Sequence, residues 1–137
     1  MDFAQKLRDL GLSPETTIVI GSGILNALGI RKSKDIDLVV IPEVYARLGA
    51  DPRFAKEEYQ GRVLLRDELF EIGTEWGVLG RDRSFADLSG DTCVIDGVRY
   101  LTPEFLLAVK KSWVSDGAAR EKDIADIALI EAYLARG

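Results

Sequence analysis

Residues 16–41 of the chain read TTIVIGSGILNALGIRKSKDIDLVVI. The run from Thr16 to Ile20 is rich in β-branched residues and ends in the turn Gly21-Ser22-Gly23, so it predicts a strand followed by a glycine turn. The apolar residues from Ile24 to Leu28 favour a helix that ends at a glycine, and Asp35 to Ile41 favours a second strand. The segment therefore predicts a strand, a glycine turn, a helix and a second strand.

Two carboxylates stand at the start of that second strand. Successive side chains of a strand alternate between its faces, so Asp35 and Asp37 share one face while Ile36 and Leu38 point into the core. Their Cα atoms would lie about 6–7 Å apart, from which both side chains reach divalent cations in a two-metal arrangement for phosphoryl displacement. Hard oxygen ligands favour Mg²⁺ or Mn²⁺. The alternative interpretation is an ordinary charged entrance to a strand.

The glycine turn suggests a phosphate site. Between strand and helix, the backbone N–H groups of Gly21 and Ser22, the serine hydroxyl and the positive end of the helix can all face a phosphate. A polyphosphate held there would lie beside the metal ions. The alternative for Gly21 and Gly23 is tight packing of the strand against the helix.

Taken together, these blocks resemble the nucleotidyltransferases of the DNA polymerase β superfamily, especially the small stand-alone members. Ile20-Gly21-Ser22 and Asp35-Ile36-Asp37-Leu38 carry the resemblance. The basic lead-in Arg31-Lys32-Ser33-Lys34 resembles theirs too, with Lys34 as a candidate nucleotide ligand. The resemblance implies magnesium-dependent transfer of a nucleoside monophosphate from a nucleoside triphosphate such as ATP, with pyrophosphate as leaving group.

The resemblance also implies a third carboxylate on a neighbouring strand, acting as base for the incoming hydroxyl or as a metal ligand. Glu71 matches it best, because its apolar neighbours in Leu69-Phe70-Glu71-Ile72 would face the core while it faces out. Asp67 and Glu75 share its parity and stay as alternatives.

Two later segments, Tyr100–Lys110 and Arg120–Ile127, resemble the C-terminal helices of small antibiotic nucleotidyltransferases and of abortive-infection toxin-like relatives. This likeness implies that Lys110 and Lys122 approach the triphosphate. The alternative is that both lysines lie on solvated helix faces with Glu–Lys spacing.

The rest of the chain completes an α+β prediction: a nucleotidyltransferase fold with a mixed β-sheet flanked by helices and two C-terminal helices. The final helix, Ala118 to Ala135, is predicted to bury Ile124, Ile127 and Leu134. Residues 78–91 are left unassigned apart from one possible helical turn over Phe85–Leu88. The further elements are a helix from Phe3 to Leu10, a short helix from Glu43 to Leu48, strands around Ala55–Tyr59, Arg62–Leu65 and Leu69–Ile72, a hairpin turning at Asp96-Gly97, and a helix capped by Thr102.

Length and composition limit the number of domains, the location of the protein and the side chains available for catalysis. A length of 137 residues predicts one nucleotidyltransferase-like domain over residues 1–137. No apolar run approaches the roughly 20 residues of a membrane span, and the charged start is unlike a secretion signal, so we expect a cytoplasmic protein. The chain has no histidine, so catalysis would depend on carboxylates. The lone Cys93 lies in an apolar stretch and is expected to be a core thiol.

Partners are less well defined. A tRNA end, a protein hydroxyl and a small molecule are all possible acceptors, and the net charge of −5 favours a protein or a cationic small molecule. The short chain suggests an acceptor cleft completed by a second subunit, in a homodimer or with a partner protein. A dinucleotide-binding fold fails because its acid would stand at the end of the second strand. The main alternative is a non-catalytic binding module, for example a toxin–antitoxin partner.

Overall fold

The computed structural model describes residues 2–136, which form helices α1–α6 and strands β1–β9. In chain order these are α1 Phe3–Asp9, β1 Thr17–Ile20, α2 Gly23–Ala27, β2 Ile36–Val40, α3 Pro42–Gly49, β3 Ala55–Tyr59, β4 Arg62–Arg66, β5 Phe70–Gly73, β6 Glu75–Val78, β7 Arg81–Ser84, α4 Phe85–Leu88, β8 Thr92–Ile95, β9 Val98–Leu101, α5 Pro103–Ser115 and α6 Glu121–Ala135. Within residues 2–136, no helix combines the length and apolar character that crossing a membrane requires.

Seven strands form one mixed sheet in the order β3-β4-β5-β2-β1-β9-β8. The pairs β2–β5 and β1–β9 are parallel, and the other neighbours are antiparallel. Strands β6 and β7 pair separately as a two-stranded ribbon. The mixed sheet, its flanking helices and the two C-terminal helices confirm the predicted α+β class.

The two faces of the central strands carry different cores. On β2, Ile36 and Leu38 belong to the larger apolar cluster, and both are essentially inaccessible to solvent, as the sequence predicted. Val39 faces the other way, into a smaller cluster with Ile18 and Ile20 of β1. Because side chains alternate along a strand, Asp37 lies on the face of the smaller cluster. That face is the one on which a cleft opens.

The last helix differs from its prediction. It begins at Glu121 rather than Ala118, and its buried residues are Asp123, Asp126 and Ile130. Ile127 is partly buried, whereas Ile124 is 56% exposed, so the prediction that Ile124 is buried was wrong. The reason is that two ion-paired aspartates, and not the first isoleucine, occupy the inner face of the first two turns.

Residues 78–91, for which no strand was predicted, begin at the last residue of β6 and contain β7 and α4. Most ribbon residues are exposed or partly exposed, so the segment has no alternating apolar pattern that would mark strands. The helical turn over Phe85–Leu88 is present, with Ser84 and Asp87 forming a capping box.

Candidate active site

A cleft of about 560 Å³ opens beside β1, β2 and β5. Six of the predicted site residues line it: Gly21, Ser22, Asp37, Glu71, Lys110 and Lys122. Lys34 and Asp35 lie outside this lining, both exposed on the loop before β2. The remaining lining residues are Ile20, Leu38, Tyr59, Gln60, Arg62, Leu64, Gly73, Glu75, Trp76, Gly77, Leu106, Trp113, Ala118, Arg120 and Asp123. A volume of this size is in the range of small-molecule and cofactor sites.

Asp37 and Glu71 are direct neighbours across the sheet. Strands β2 and β5 run parallel, and their register pairs Asp37 with Glu71, just as it pairs Ile36 with Phe70. Phe70 and Ile72 are buried in the larger core, so Glu71 points to the opposite face and into the cleft. The sheet therefore holds two carboxylates side by side at fixed backbone positions.

The pair is short of positive charge. Burial, the charge and hydrogen bonding of Glu71, and the charge of Asp35 raise the pKa of Asp37 to about 7, and Arg66 opposes this by a smaller amount. Arg66 lies 3.7 Å from a Glu71 carboxylate oxygen but is closer, at 2.9 Å, to Glu57. When carboxylates lie so close that ionising all of them is unfavourable, the site is typically one that binds a cation or a proton.

Gly21 allows the turn to approach Asp37. Its φ of +63° lies in the left-handed region that favours glycine, and a Cβ at this position would lie 3.0 Å from Asp37 Oδ2. Gly23 has a different role, because a Cβ there would collide with Val19 Cγ1 of the preceding strand. The packing interpretation thus holds for Gly23, while Gly21 brings the turn against the carboxylate.

Hydrogen bonds join the glycine turn to the loop before β2. The Ser22 and Ser33 hydroxyls are 3.3 Å apart, and Ser33 Oγ donates to the Asp35 carbonyl at 3.1 Å. The Ser33 N–H donates to Asn26 Oδ1 of α2 at 3.2 Å. Ser33 is buried although its loop neighbours are exposed, and it links the two motifs that the sequence singled out.

The opposite wall of the cleft rests on a charge network defined by Arg31, Lys110, Arg120, Asp123 and Asp126. Lys110 Nζ lies 2.7 Å from Asp123 Oδ1 and 3.1 Å from Asp126 Oδ2, and its side chain is only 4% exposed. Burial acts to raise the pKa of Asp123, but hydrogen bonds from Arg120 and Lys110 hold that pKa below its usual range. Lys110 reaches the cleft, as the sequence suggested, with its ammonium group already paired to two acids.

Several other cleft residues were not predicted from the sequence. Trp76 and Trp113 meet edge to face with ring centroids 6.4 Å apart, and Tyr59 stands at the end of β3. Trp76 lies in the ribbon that lacked a readable pattern. The buried Asp123 and Asp126 had a usable signal, because a spacing of three residues puts both on one helix face, in phase with Ile130.

Comparison with solved structures identifies the fold. The crystal structure of ANT(2″)-Ia in complex with adenylyl-2″-tobramycin is similar to the chain with a TM-score of 0.56 and 19% identity, over 96% of this chain and 84% of that one. The solution structure of ANT(2″)-Ia, an antibiotic-resistance factor, gives a TM-score of 0.56 and 20% identity, over 98% and 86%. No protein-family model and no curated protein sequence matches.

The chain has a nucleotidyltransferase fold. ANT(2″)-Ia is an aminoglycoside nucleotidyltransferase, so the likeness confirms the fold that the resemblance to small members of the DNA polymerase β superfamily predicted. In this nucleotidyltransferase fold, the strand register brings Asp37 and Glu71 together beside Gly21 and Ser22.

The donor set of the nucleotidyltransferase fold suits a hard divalent cation. Asp37 and Glu71 offer adjacent carboxylate oxygens, and Asp35 is near enough to act electrostatically on Asp37. Within residues 2–136, no three acidic, histidine or cysteine side chains are already gathered as a closed metal site. Asp35 is exposed and lies just before β2, two residues from Asp37. The residues fit a Mg²⁺ or Mn²⁺ ion, and their ligand roles stay a prediction.

Proposed function

We propose that the chain transfers a nucleoside monophosphate from a nucleoside triphosphate to an acceptor hydroxyl. The proposal rests on the pairing of Asp37 with Glu71 in one cleft, beside the turn of Gly21 and Ser22. The raised pKa of Asp37 supports it, since perturbed carboxylates in a cleft are typical of functional sites. The fold of the chain, which is that of ANT(2″)-Ia, supports it independently.

Each residue has a defined part in the proposed reaction. The backbone and hydroxyl of the Gly21–Ser22 turn hold the triphosphate next to Asp37. Glu71 accepts the proton of the acceptor hydroxyl, whose oxygen forms a bond to the α-phosphorus. The bond from that phosphorus to the bridging oxygen breaks, and pyrophosphate leaves with the electron pair. Asp35, Asp37 and Glu71 would hold Mg²⁺ or Mn²⁺, which supplies charge stabilisation to the phosphates.

The cationic residues of the cleft fall into two groups. Lys122 is exposed and lines the cleft, so it is available to a phosphate. Lys110 is buried against two acids that compensate its charge, so it would support the wall of the cleft beside the nucleotide without leaving them. Lys34 lies beside Asp35 on the exposed loop and would reach the nucleotide only from outside the cleft.

The acceptor enters where the aromatic residues lie. Tyr59, Trp76 and Trp113 offer flat apolar surfaces, and Glu75 adds an exposed carboxylate. Because ANT(2″)-Ia is seen with adenylyl-2″-tobramycin, cationic amino sugars come first in an acceptor screen, followed by protein hydroxyls and tRNA ends.

Calorimetry tests the donor half of the proposal. Each of the four ribonucleoside triphosphates is titrated with Mg²⁺ into wild type, Asp37→Asn and Asp91→Asn. Asp91 is an exposed aspartate outside the cleft lining, so its variant is the matched control. We expect magnesium-dependent binding of at least one nucleotide to wild type and to the control, with loss in Asp37→Asn.

Pyrophosphate release in the presence of the acceptor panel then tests the transfer itself. Absence of binding to wild type would contradict the proposed function and favour a non-catalytic partner role. Equal binding by wild type and Asp37→Asn would place the nucleotide elsewhere on the chain.

A further inference from the structure

A bidentate ion pair connects the loop before β2 to α6, the last helix. Arg31 Nε lies 2.6 Å from Asp126 Oδ1, and Arg31 Nη2 lies 2.7 Å from Asp126 Oδ2, across 95 residues of sequence. The Asp126 side chain is 2% exposed and that of Arg31 is 25% exposed. An Arg–carboxylate pair with two parallel bonds fixes direction as well as distance, which lysine cannot do.

Asp126 is itself held from a second side. Lys110 Nζ lies 3.1 Å from Asp126 Oδ2, and the same ammonium group pairs with Asp123. Burial acts to raise the pKa of Asp126, but the hydrogen bonds of Arg31 and Lys110 lower it, so the acid is a charged and rigid anchor. Removing Arg31 would leave this anchor paired with Lys110.

The loop that Arg31 anchors carries the groups assigned to nucleotide and metal. Arg31 Nη1 also donates to the Lys32 carbonyl at 3.0 Å, which fixes the start of the loop. One residue further on, Ser33 bonds both to the Ser22 hydroxyl and to the Asp35 carbonyl. A continuous set of contacts therefore runs from Asp126 through Arg31 and Ser33 to the glycine turn and to Asp35.

We infer that Asp126 is a positioning residue for the nucleotide site and acts through Arg31. Its bridge sets the conformation of the loop over residues 31–35, which in turn sets Ser22 and Asp35. This inference rests on the proposed function. It assigns to α6 a role in substrate binding that lies outside the residues touching the cleft.

The test measures nucleotide affinity in Arg31→Gln and in Arg31→Lys. The probe is the ribonucleoside triphosphate with Mg²⁺ that wild type binds most tightly, measured well below each variant's melting temperature. We expect the Kd to rise about tenfold in Arg31→Gln. The Kd of Arg31→Lys should lie between that value and the wild-type value, because lysine keeps the charge but not the bidentate geometry. Asp126→Asn alone should raise the Kd by a similar factor, and in the Arg31→Gln background it should add less than about twofold, since the two residues act as one unit.

A matched control separates positioning from stability. Ile130 is fully buried one turn after Asp126 on α6, and Ile130→Val lowers stability without touching Arg31. We expect its Kd to stay within about twofold of wild type at a similar loss of melting temperature.

The outcomes are distinguishable. A rise of less than about threefold in Arg31→Gln, or an equal rise in Ile130→Val, would overturn the positioning role while leaving the proposed function standing. Failure of wild type to bind any of the four nucleotides would overturn the proposed function, and the inference with it.

Discussion

Asp37 and Asp126 are carboxylates of the same kind in opposite electrostatic surroundings. Asp37 stands beside Glu71 and near Asp35, and burial with these acids raises its pKa to about 7. Asp126 is almost completely buried, yet Arg31 and Lys110 hold its pKa below the ordinary value. The wall with Asp37 thus has negative charge that nearby cations do not fully compensate. On the wall with Asp126, the negative charge is fully paired with cationic side chains.

The contrast separates a site from a support. Paired buried charges are costly to disturb, because removal of one partner leaves the other without solvent or counter-ion. Two neighbouring carboxylates without a counter-ion destabilise the ligand-free protein. A ligand that supplies positive charge removes this repulsion and stabilises the folded state. The same substitution, Asp to Asn, should therefore act in opposite directions on the two walls.

The largest effect is expected at the paired wall. Asp123→Asn should lower the free energy of unfolding by about 3–5 kcal/mol, because it leaves the buried Lys110 partly unpaired. Glu131→Gln breaks the exposed Lys111–Glu131 pair between the same two helices and should cost less than about 1 kcal/mol. Urea unfolding at pH 7 measures both, and similar costs for the two variants would remove the contrast.

On the wall with the unpaired Asp37, the same type of substitution should change the free energy of unfolding in the opposite direction. Asp37→Asn should raise the free energy of unfolding by about 2–4 kcal/mol at pH 8, because the ionised carboxylate is disfavoured in the folded state. The same variant should lose magnesium-dependent nucleotide binding. Urea unfolding and calorimetry on one preparation check both, and a destabilised Asp37→Asn would show that the carboxylate is already compensated.

The pH dependence sharpens the same comparison. The pKa of Asp37 is higher folded than unfolded, so folding favours its protonated form and stability falls as pH rises from about 4 to about 7. Relative to Asp37→Asn, wild type should lose about 1.4 kcal/mol per pH unit in that window. For Asp126 the pKa is lowered, so its contribution is present above the unfolded value of about 3.9 and is lost in acid. Unfolding curves from pH 3 to pH 8 distinguish the two slopes, and parallel curves for wild type and Asp37→Asn would contradict the first.

The smallest effect concerns the glycine turn. Gly21→Ala and Gly29→Ala both place alanine at positive φ, which costs about 1–2 kcal/mol. Gly29 has open space around its Cβ position, whereas a Cβ at Gly21 would press on Asp37. We expect nucleotide affinity to fall in Gly21→Ala alone, measured by the same calorimetry. Equal affinities in the two variants would mean that the turn does not contact the nucleotide.

Local patterns in the sequence were sufficient for the sheet side of the site. The β-branched strand before Gly21 and the alternation around Asp37 and Glu71 are short-range features that survive folding, so the structure has both acids on the expected face. Asp35 was expected inside the strand, but β2 begins one residue later and Asp35 stays exposed.

The helical side depended on contacts that no local pattern contains. Arg31 and Asp126 meet across 95 residues, and Asp123 and Asp126 are the buried residues of the first two turns of α6, whereas Ile124 is exposed. The β6–β7 ribbon has little apolar core of its own, so its strands were unreadable, and Trp76 was missed with them.

Titration of the Asp37 carboxyl by carbon-13 NMR, with and without Mg²⁺, tests the central claim most directly. The claim predicts a pKa near 7 in the metal-free protein and a clear decrease when Mg²⁺ is added, because the cation supplies the missing positive charge. An ordinary pKa that Mg²⁺ leaves unchanged would contradict the assignment of this carboxylate pair as the metal-binding and nucleotide-binding site.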